Sequence, residues 1–354
     1  MIQPFTYSAL PARVVFGSGT LPRVADELRT LGCQRAMVLS TPQQQDSARH
    51  LEEMLGNLCA GTFTQAAMHT PVDVTERAMQ QVRELRVDCT VAIGGGSTTG
   101  LGKAIALRTD LPQIVVPTTY AGSEATPILG ETTEGRKTTQ RTVKVLPEVI
   151  VYDVDLTLTL PAALSATSGI NAIAHAVEAL YTQDANPVIS MMAERGIEAL
   201  ARALPPIMKN PSDKSARSDA LLGAWLCGLC LGAVGMALHH KLCHTLGGSF
   251  NLPHAETHTI VLPHAVAYNS AAAPEAMARV AHALGSASAA QGLFDLAKSL
   301  GAPTALREIG MLDKGLDLAA ELATASPYWN PRPIDRSGIR SLLDDAFYGR
   351  RPRF

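Results

Sequence analysis

Between Leu238 and His264 the chain reads LHHKLCHTLGGSFNLPHAETHTIVLPH, a stretch holding six of its ten histidines. An imidazole can ligate a metal or move a proton near neutral pH, and either job needs several of them in one cleft. The i, i+4 spacing of His240 and His244 puts both on one face of a helix, one turn apart. Gly247-Gly248 predicts a break there, so that His254, directly after Pro253, joins them from a loop. A second stripe supports the same chemistry: Asn171 and His175 stand at i, i+4 among Ala and Ile, which points to burial beside a site.

A different chemistry is written at Cys89–Lys103, CTVAIGGGSTTGLGK, a buried-strand pattern that enters glycines and then a helix. Without Cβ atoms, Gly94, Gly95 and Gly96 let an anion approach the backbone. A helix starting near Ser97 and Thr98 adds unpaired N–H groups and a positive dipole end, so phosphates suit this junction. It is not a standard fingerprint, because the third glycine of G-x-G-x-x-G falls at Thr99 and a Walker loop lacks its first glycine. A tight turn without a ligand is the alternative. The next strand runs into Pro117-Thr-Thr-Tyr-Ala-Gly-Ser-Glu124, a polar loop at the same carboxyl edge, where open α/β sheets bind ligands. Ile128–Thr142 reads as a hairpin about Glu134-Gly135, and Lys137 near its turn is either a solvated lysine or a cofactor contact.

These stretches need a scaffold, and 354 residues are enough for two cores. From Arg13 to Val154, short β-branched runs alternate with amphipathic stretches, the pattern of a parallel sheet with crossover helices. The expected strands are 13–16, 36–40, 90–93, 113–116 and 149–152, and Asp73 with Glu76 reads as a capping box for a helix carrying Ala78, Val82 and Leu85. Strand signals vanish beyond Pro161, so the domains are 1–160, α/β, and 161–354, all-helical and carrying the histidines. Ala220–Leu238 lacks any formal charge. Its glycines dilute the hydrophobicity, so it reads as a buried helix rather than a membrane span, with Gly228 and Gly232 allowing a close neighbour. Later helices are expected at 274–284, 288–300, 313–324 and 335–347.

A formal charge of −2 argues against a nucleic-acid footprint. No basic stretch followed by an apolar run opens the chain, so a cytoplasmic protein without a membrane partner is expected. Cys227-Gly-Leu-Cys230 imitates a redox motif but lies inside an apolar run, not at a strand-to-helix junction.

Taken together, GGGS at Gly94–Ser97, PTT at Pro117–Thr119, N-A-x-x-H-A-x-E-A at Asn171–Ala179 and H-x-x-x-H with His254 resemble the iron-containing alcohol dehydrogenase family, over most of the chain. The resemblance implies a dehydroquinate synthase-like fold: a Rossmann-like α/β N-terminal domain, an all-α C-terminal domain, an active site in the cleft between them, and a homodimer. It implies NADH or NADPH as cofactor, with the pyrophosphate on Gly94, Gly95, Gly96, Ser97 and Thr98, further contacts from Thr118, Thr119 and Lys137, and His244 near the nicotinamide.

Metal-dependent members bind their ion with an aspartate and three histidines, positions that are Asn171, His175, His240 and His254 here. The one anionic ligand has become a neutral amide, so the set reads as a vestigial site and no metal is expected. Two further departures are Gly100, where many relatives have an acidic residue, and Thr41, where NAD-restricted members tend to carry an aspartate; the second implies tolerance of NADPH. HHKLCHTLGG and NLPHAETH look most like a branch that reduces the carbon–carbon double bond of an oxo-dicarboxylate in bacterial degradation of aromatic compounds. Such a reaction develops an enolate, which hydrogen-bond donors can stabilise without a Lewis acid. His244, His240, His175, His254, Asn171 and Lys241 are the expected catalytic set, and Lys241, Arg332 and Arg336 are candidates for the substrate carboxylates. The alternatives are a metal-dependent alcohol dehydrogenase and a non-enzymatic metal-binding protein.

Overall fold

A computed structural model describes residues 5–10, 12–134 and 136–353. The chain separates into two compact units, one spanning Ala9–Leu160 and the other built from Pro161 onward together with residues 5–8, which the sequence assigns to the first domain.

The strands of the first unit are β1 (Arg13–Gly17), β2 (Ala36–Leu39), β3 (Cys59–Phe63), β4 (Cys89–Gly94), β5 (Gln113–Pro117), β6 (Ile128–Thr133), β7 (Arg136–Arg141) and β8 (Val149–Asp153). Six of them make a parallel sheet in the order β1-β8-β5-β4-β2-β3, while β6 and β7 pair as an antiparallel hairpin. Helices α1 (Arg23–Thr30), α2 (Gln45–Leu55), α3 (Val72–Glu84) and α4 (Gly96–Thr109) supply crossovers. Because side chains alternate along a strand and both faces of the inner strands are covered, β2, β4, β5 and β8 are apolar over most of their length. Val38, Val91, Ile93, Ile114 and Val116 join Val24, Leu28 and Leu51 of α1 and α2. Met37, Leu39, Ala92 and Val115 join Ala78, Val82, Leu101 and Ile105 of α3 and α4 on the opposite face.

β3 has no counterpart among the expected strands. Its residues, Cys-Ala-Gly-Thr-Phe, show neither alternation nor a β-branched run, and it forms by pairing with β2 across a register shift at Ala36/Met37. The expected capping box of α3 is also corrected. Pro71 occupies the cap without a side-chain bond. Asp73 instead pairs with Arg77 at 2.9 Å and Glu76 with Arg108 at 3.5 Å, one turn or a whole helix away.

The second unit is helical: α5 (Ala162–Tyr181), α6 (Pro187–Lys209), α7 (Lys214–Ala233), α8 (Leu238–Phe250), α9 (His254–Asn269), α10 (Pro274–Leu284), α11 (Ala289–Ser299), α12 (Leu316–Thr324) and α13 (Arg336–Tyr348). The uncharged run Ala220–Leu238 is not one helix. It stops at Ala233, and α8 leaves at 95° to α7; no single helix among the described residues is long and apolar enough to cross a membrane. A close helix approach is made at Gly223, where an added Cβ would stand 3.0 Å from the Gly196 carbonyl oxygen of α6 and 2.8 Å from Leu200 Cγ. Cys227 and Cys230 are buried free thiols in α7. Gly223→Ala should therefore destabilise the protein by about 1–3 kcal/mol in denaturant unfolding, since a backbone atom cannot swing aside; unaltered stability would refute this packing account.

Candidate functional site

In the first unit, Gly94 ends β4 with φ +152°, a backbone that L side chains rarely adopt, and Gly95 caps α4. The chain thereby turns sharply enough to aim the first N–H groups of α4 outward past the sheet edge. Ser97 and Thr98 fall in the first turn of α4. Thr118 follows β5 directly and its backbone N–H donates to Gly94 O at 3.0 Å, locking the two carboxyl-end loops together. β2 sits between β3 and β4, so the strand order reverses there, and the crevice at such a reversal is where open α/β sheets take ligands.

Gln44, which the sequence did not single out, stands in that crevice. Its Nε2 donates to Thr118 Oγ1 at 2.7 Å, and its Oε1 lies 2.6 Å from where a Cβ on Gly94 would be. Thr41 opens the short 3-10 turn that carries Gln44. At Gly100 an added Cβ would run into Thr70 Oγ1, so a side chain there would require Thr70 to turn aside. Lys137 pairs with Thr132 in the hairpin, its side chain lying outside the described residues, as does Gly135.

The second unit gathers five of the six clustered histidines. Ring centroids are 5.2 Å apart for His175 and His240, 6.3 Å for His240 and His244, 5.1 Å for His240 and His258, and 4.2 Å for His254 and His258. His264 is the exception, packed edge-on to Phe294 at 6.4 Å. Asn171 and His175 are buried in α5, His240 is buried in α8, and His244 and His254 are exposed.

The route by which these residues meet differs from the expectation in two respects. α8 does not break at Gly247-Gly248 but continues to Phe250 and ends at Asn251 in the left-handed conformation, φ +54°. Two exposed or half-buried glycines cost a helix only about 1 kcal/mol each, which its buried face outweighs. His254 then comes from the first residue of α9, not from a loop.

The group that organises the cluster is Glu178, fully buried one turn beyond His175 on α5. Its Oε1 accepts from His239 N at 2.8 Å and Tyr181 OH at 2.9 Å; its Oε2 accepts from Ala237 N at 2.9 Å and His240 Nδ1 at 2.7 Å. Four donors saturate a carboxylate. Two of them are backbone N–H groups at the start of α8, so Glu178 caps that helix from another helix, an anion at the positive end of a dipole. Burial alone would raise its pKa, but the bond and charge of His240 prevail and hold it at about 2. An ionised carboxylate only accepts, so His240 Nδ1 carries the proton and Nε2 faces away from Glu178. Burial, followed by the neighbouring imidazoles, keeps His175 well below the usual histidine range, hence neutral. Asn171 Oδ1, His175 Nδ1 and His240 Nε2 are buried without a hydrogen-bond partner, polar atoms of the kind a ligand satisfies.

The family model for iron-containing alcohol dehydrogenase matches residues 11–154, and that for the C-terminal part of the Fe-containing alcohol dehydrogenase family matches 165–347. The chain belongs to the iron-containing alcohol dehydrogenase family. Within this family it is 58% identical to a maleylacetate reductase of Rhizobium sp. (strain MTP-10005) over 351 residues, 99% of this chain and all of that one. The crystal structure of a maleylacetate reductase from Agrobacterium tumefaciens superposes with a TM-score of 0.97 at 59% identity, covering 99% and 100% of the two chains. An iron-containing alcohol dehydrogenase from Corynebacterium glutamicum follows at 40% identity and TM-score 0.95, covering 99% and 98%. The expected fold class, an α/β unit followed by a helical one, is the one observed.

The basic candidates separate. The Lys241 ammonium lies 5.8 Å from the centroid of the Tyr328 ring. Tyr328, whose buried hydroxyl has no partner, lines a cavity of about 360 Å³ together with Thr324, Ser326, Asn330 and Arg332. Arg332 stacks 3.9 Å over Tyr268 and donates to its carbonyl oxygen at 3.2 Å, so part of its guanidinium is committed to the fold. Arg336 opens α13, is exposed, and does not line this cavity.

Because the folded-state pKa of Glu178 is depressed, its contribution is present above the ordinary value of 4.5 and is lost as pH falls toward about 2. The unfolding free energy should drop by about 3 kcal/mol across that window in the wild type. In Glu178→Gln this step should be missing, and an identical acid limb in both proteins would remove Glu178 from its central place.

Proposed function

We propose that this protein reduces the carbon–carbon double bond of 2-maleylacetate to give 3-oxoadipate, with NADH or NADPH as hydride donor, as part of bacterial aromatic-compound degradation. The observation that carries this reading is the full-length likeness to maleylacetate reductases at 58–59% identity. Gly94, Gly95, Gly96, Ser97 and Thr98 would hold the dinucleotide phosphates, with Thr118, Thr119 and Lys137 as further contacts.

The family implies a divalent metal at Asn171, His175, His240 and His254, and the donor set does not fit one. None of the four is a carboxylate or thiolate, and Glu178, the carboxylate bonded to His240, already accepts four hydrogen bonds and cannot turn to a cation. The chemistry needs no such charge. Hydride addition at the carbon β to the ketone moves the electron pair of the double bond toward the ketone oxygen, and the resulting enolate is stabilised by hydrogen-bond donors. Asn171, His175, His240 and His254 are the groups we assign to it, the first three for their unpartnered buried atoms. A proton delivered to the carbon α to the ketone completes the reduction. His244, exposed on α8 and 6.3 Å from His240, is the group we assign to that transfer, since an imidazole is matched to neutral pH. Lys241 and Arg332 are assigned to the substrate carboxylates. A homodimer is the assembly we propose.

Following NADH absorbance with maleylacetate and with butanal side by side tests this reading. Turnover should be confined to maleylacetate, should survive prolonged EDTA treatment, and should fall in kcat by about 10² in His244→Ala. Comparable rates on butanal, or activity abolished by chelation and restored by metal, would return the protein to the metal-dependent alcohol dehydrogenases. Independently, Gly95→Asp should greatly raise the NADH dissociation constant, because the new carboxylate repels phosphate and its Cβ would meet Thr119 Cγ2 at 2.9 Å. Unchanged affinity in this variant would displace the cofactor from the glycine turn.

A further inference from the structure

Behind His240 lies a second constellation that the proposed reaction does not use: His239 and Cys243 of α8 with His258 of α9. His239 and Cys243 stand at i, i+4 and share a face, and their ligating atoms with that of His258 all lie within 4.8 Å of one another. His239 Nε2 is 3.0 Å from His258 Nδ1, and Cys243 Sγ is 3.7 Å from His239 Nε2. Around a tetrahedral ion with nitrogen at about 2.0–2.1 Å and sulfur at about 2.3 Å, neighbouring ligand atoms stand roughly 3.3–3.6 Å apart. These two spacings bracket that range and the third lies within 4.8 Å, so side-chain shifts of no more than about 1 Å would admit an ion. All three residues are buried, with His239 and His258 fully so. The ring of the exposed His254 has its centroid 4.2 Å from that of His258, so a solvent-facing imidazole adjoins the buried set.

We propose that His239, Cys243 and His258 form a binding site for a thiophilic d¹⁰ cation of the zinc and cadmium class, distinct from the Asn171 set. The difference is chemical. A thiolate supplies the negative charge that the Asn171 set lacks, and one sulfur with two imidazoles suits a soft or borderline ion with its fourth position open. On uptake the Cys243 S–H bond breaks, the sulfur keeps the electron pair and bonds the ion, and the proton leaves to solvent. No oxidant or reductant is involved.

Cadmium chloride titrated into the chelator-treated protein and followed by ultraviolet absorbance tests the site without measuring turnover, so its outcome is separate from that of the maleylacetate reading. A thiolate-to-cadmium charge-transfer band should grow and saturate at about one equivalent. Cys243→Ser, close in volume, should abolish the band; His258→Gln should weaken binding by about tenfold or more, and His175→Ala should leave the band in place. Circular dichroism identifies any variant that fails to fold, and the histidine variants then carry the comparison. Absence of the band in the wild type, its persistence in folded Cys243→Ser through one of the other five cysteines, or its indifference to His258→Gln would overturn the proposal.

Discussion

A single buried carboxylate holds the histidine-rich half of this protein together. An isolated anion in an apolar interior is strongly unfavourable, and Glu178 is tolerable only because four donors meet it from three places: Tyr181 on its own helix, His240, and two backbone N–H groups where α8 begins. That demand fixes the start of α8 against α5, and with it the positions of His239, His240 and His244. It also explains why α7 and α8 are separate helices. A continuous helix would have spent the N–H groups of Ala237 and His239 on its own carbonyls, leaving Glu178 without its cap.

The α/β unit solves a different problem. Its sheet is apolar on both faces, so polar function can appear only where strands end, and the reversal of strand order at β2 opens a crevice there. Gly94 turns the chain, Thr118 ties the next loop to it, and Gln44 reaches across from the end of β2. Buried Lys103 stiffens the arrangement from behind. Its ammonium donates to the carbonyls of Ser123, Thr126 and Ile128 at 2.6–2.9 Å. Burial pushes its pKa down to about 7. This lysine follows the glycines as a Walker lysine would, yet it is spent on the fold of the loop after Thr119.

On the proposed reading, charge separates this chain from a metal-dependent alcohol dehydrogenase on the same scaffold. Asn171 Oδ1, His175 Nδ1 and His240 Nε2 are buried polar atoms with no carboxylate among them, while Glu178 is turned toward His240 and the start of α8. A pocket of that kind favours a reaction whose developing charge is spread over an enolate.

Much of this was legible in the sequence because it depends on local rules. Apolar runs ending in glycine give parallel strands and a sharp turn into a helix; i, i+4 spacing places Asn171 with His175 and His240 with His244; the loss of β-branched runs after Pro161 marks the change to helices. The sequence misled where local signals are weak against packing. Gly247-Gly248 reads as a stop, yet α8 runs through it because its other face is buried, and β3 forms from residues with little strand preference because an edge of β2 is open to pair. Asp73 and Glu76 have the spacing of a cap but spend their charges on arginines. Only the tertiary structure could assign Glu178, since nothing in the run A-V-E-A reveals that its carboxylate will be met by the backbone of a helix about sixty residues later. The same holds for Gln44 beside Thr118 and for Tyr328 beneath Lys241: each depends on long-range contacts, which no periodicity within one segment encodes.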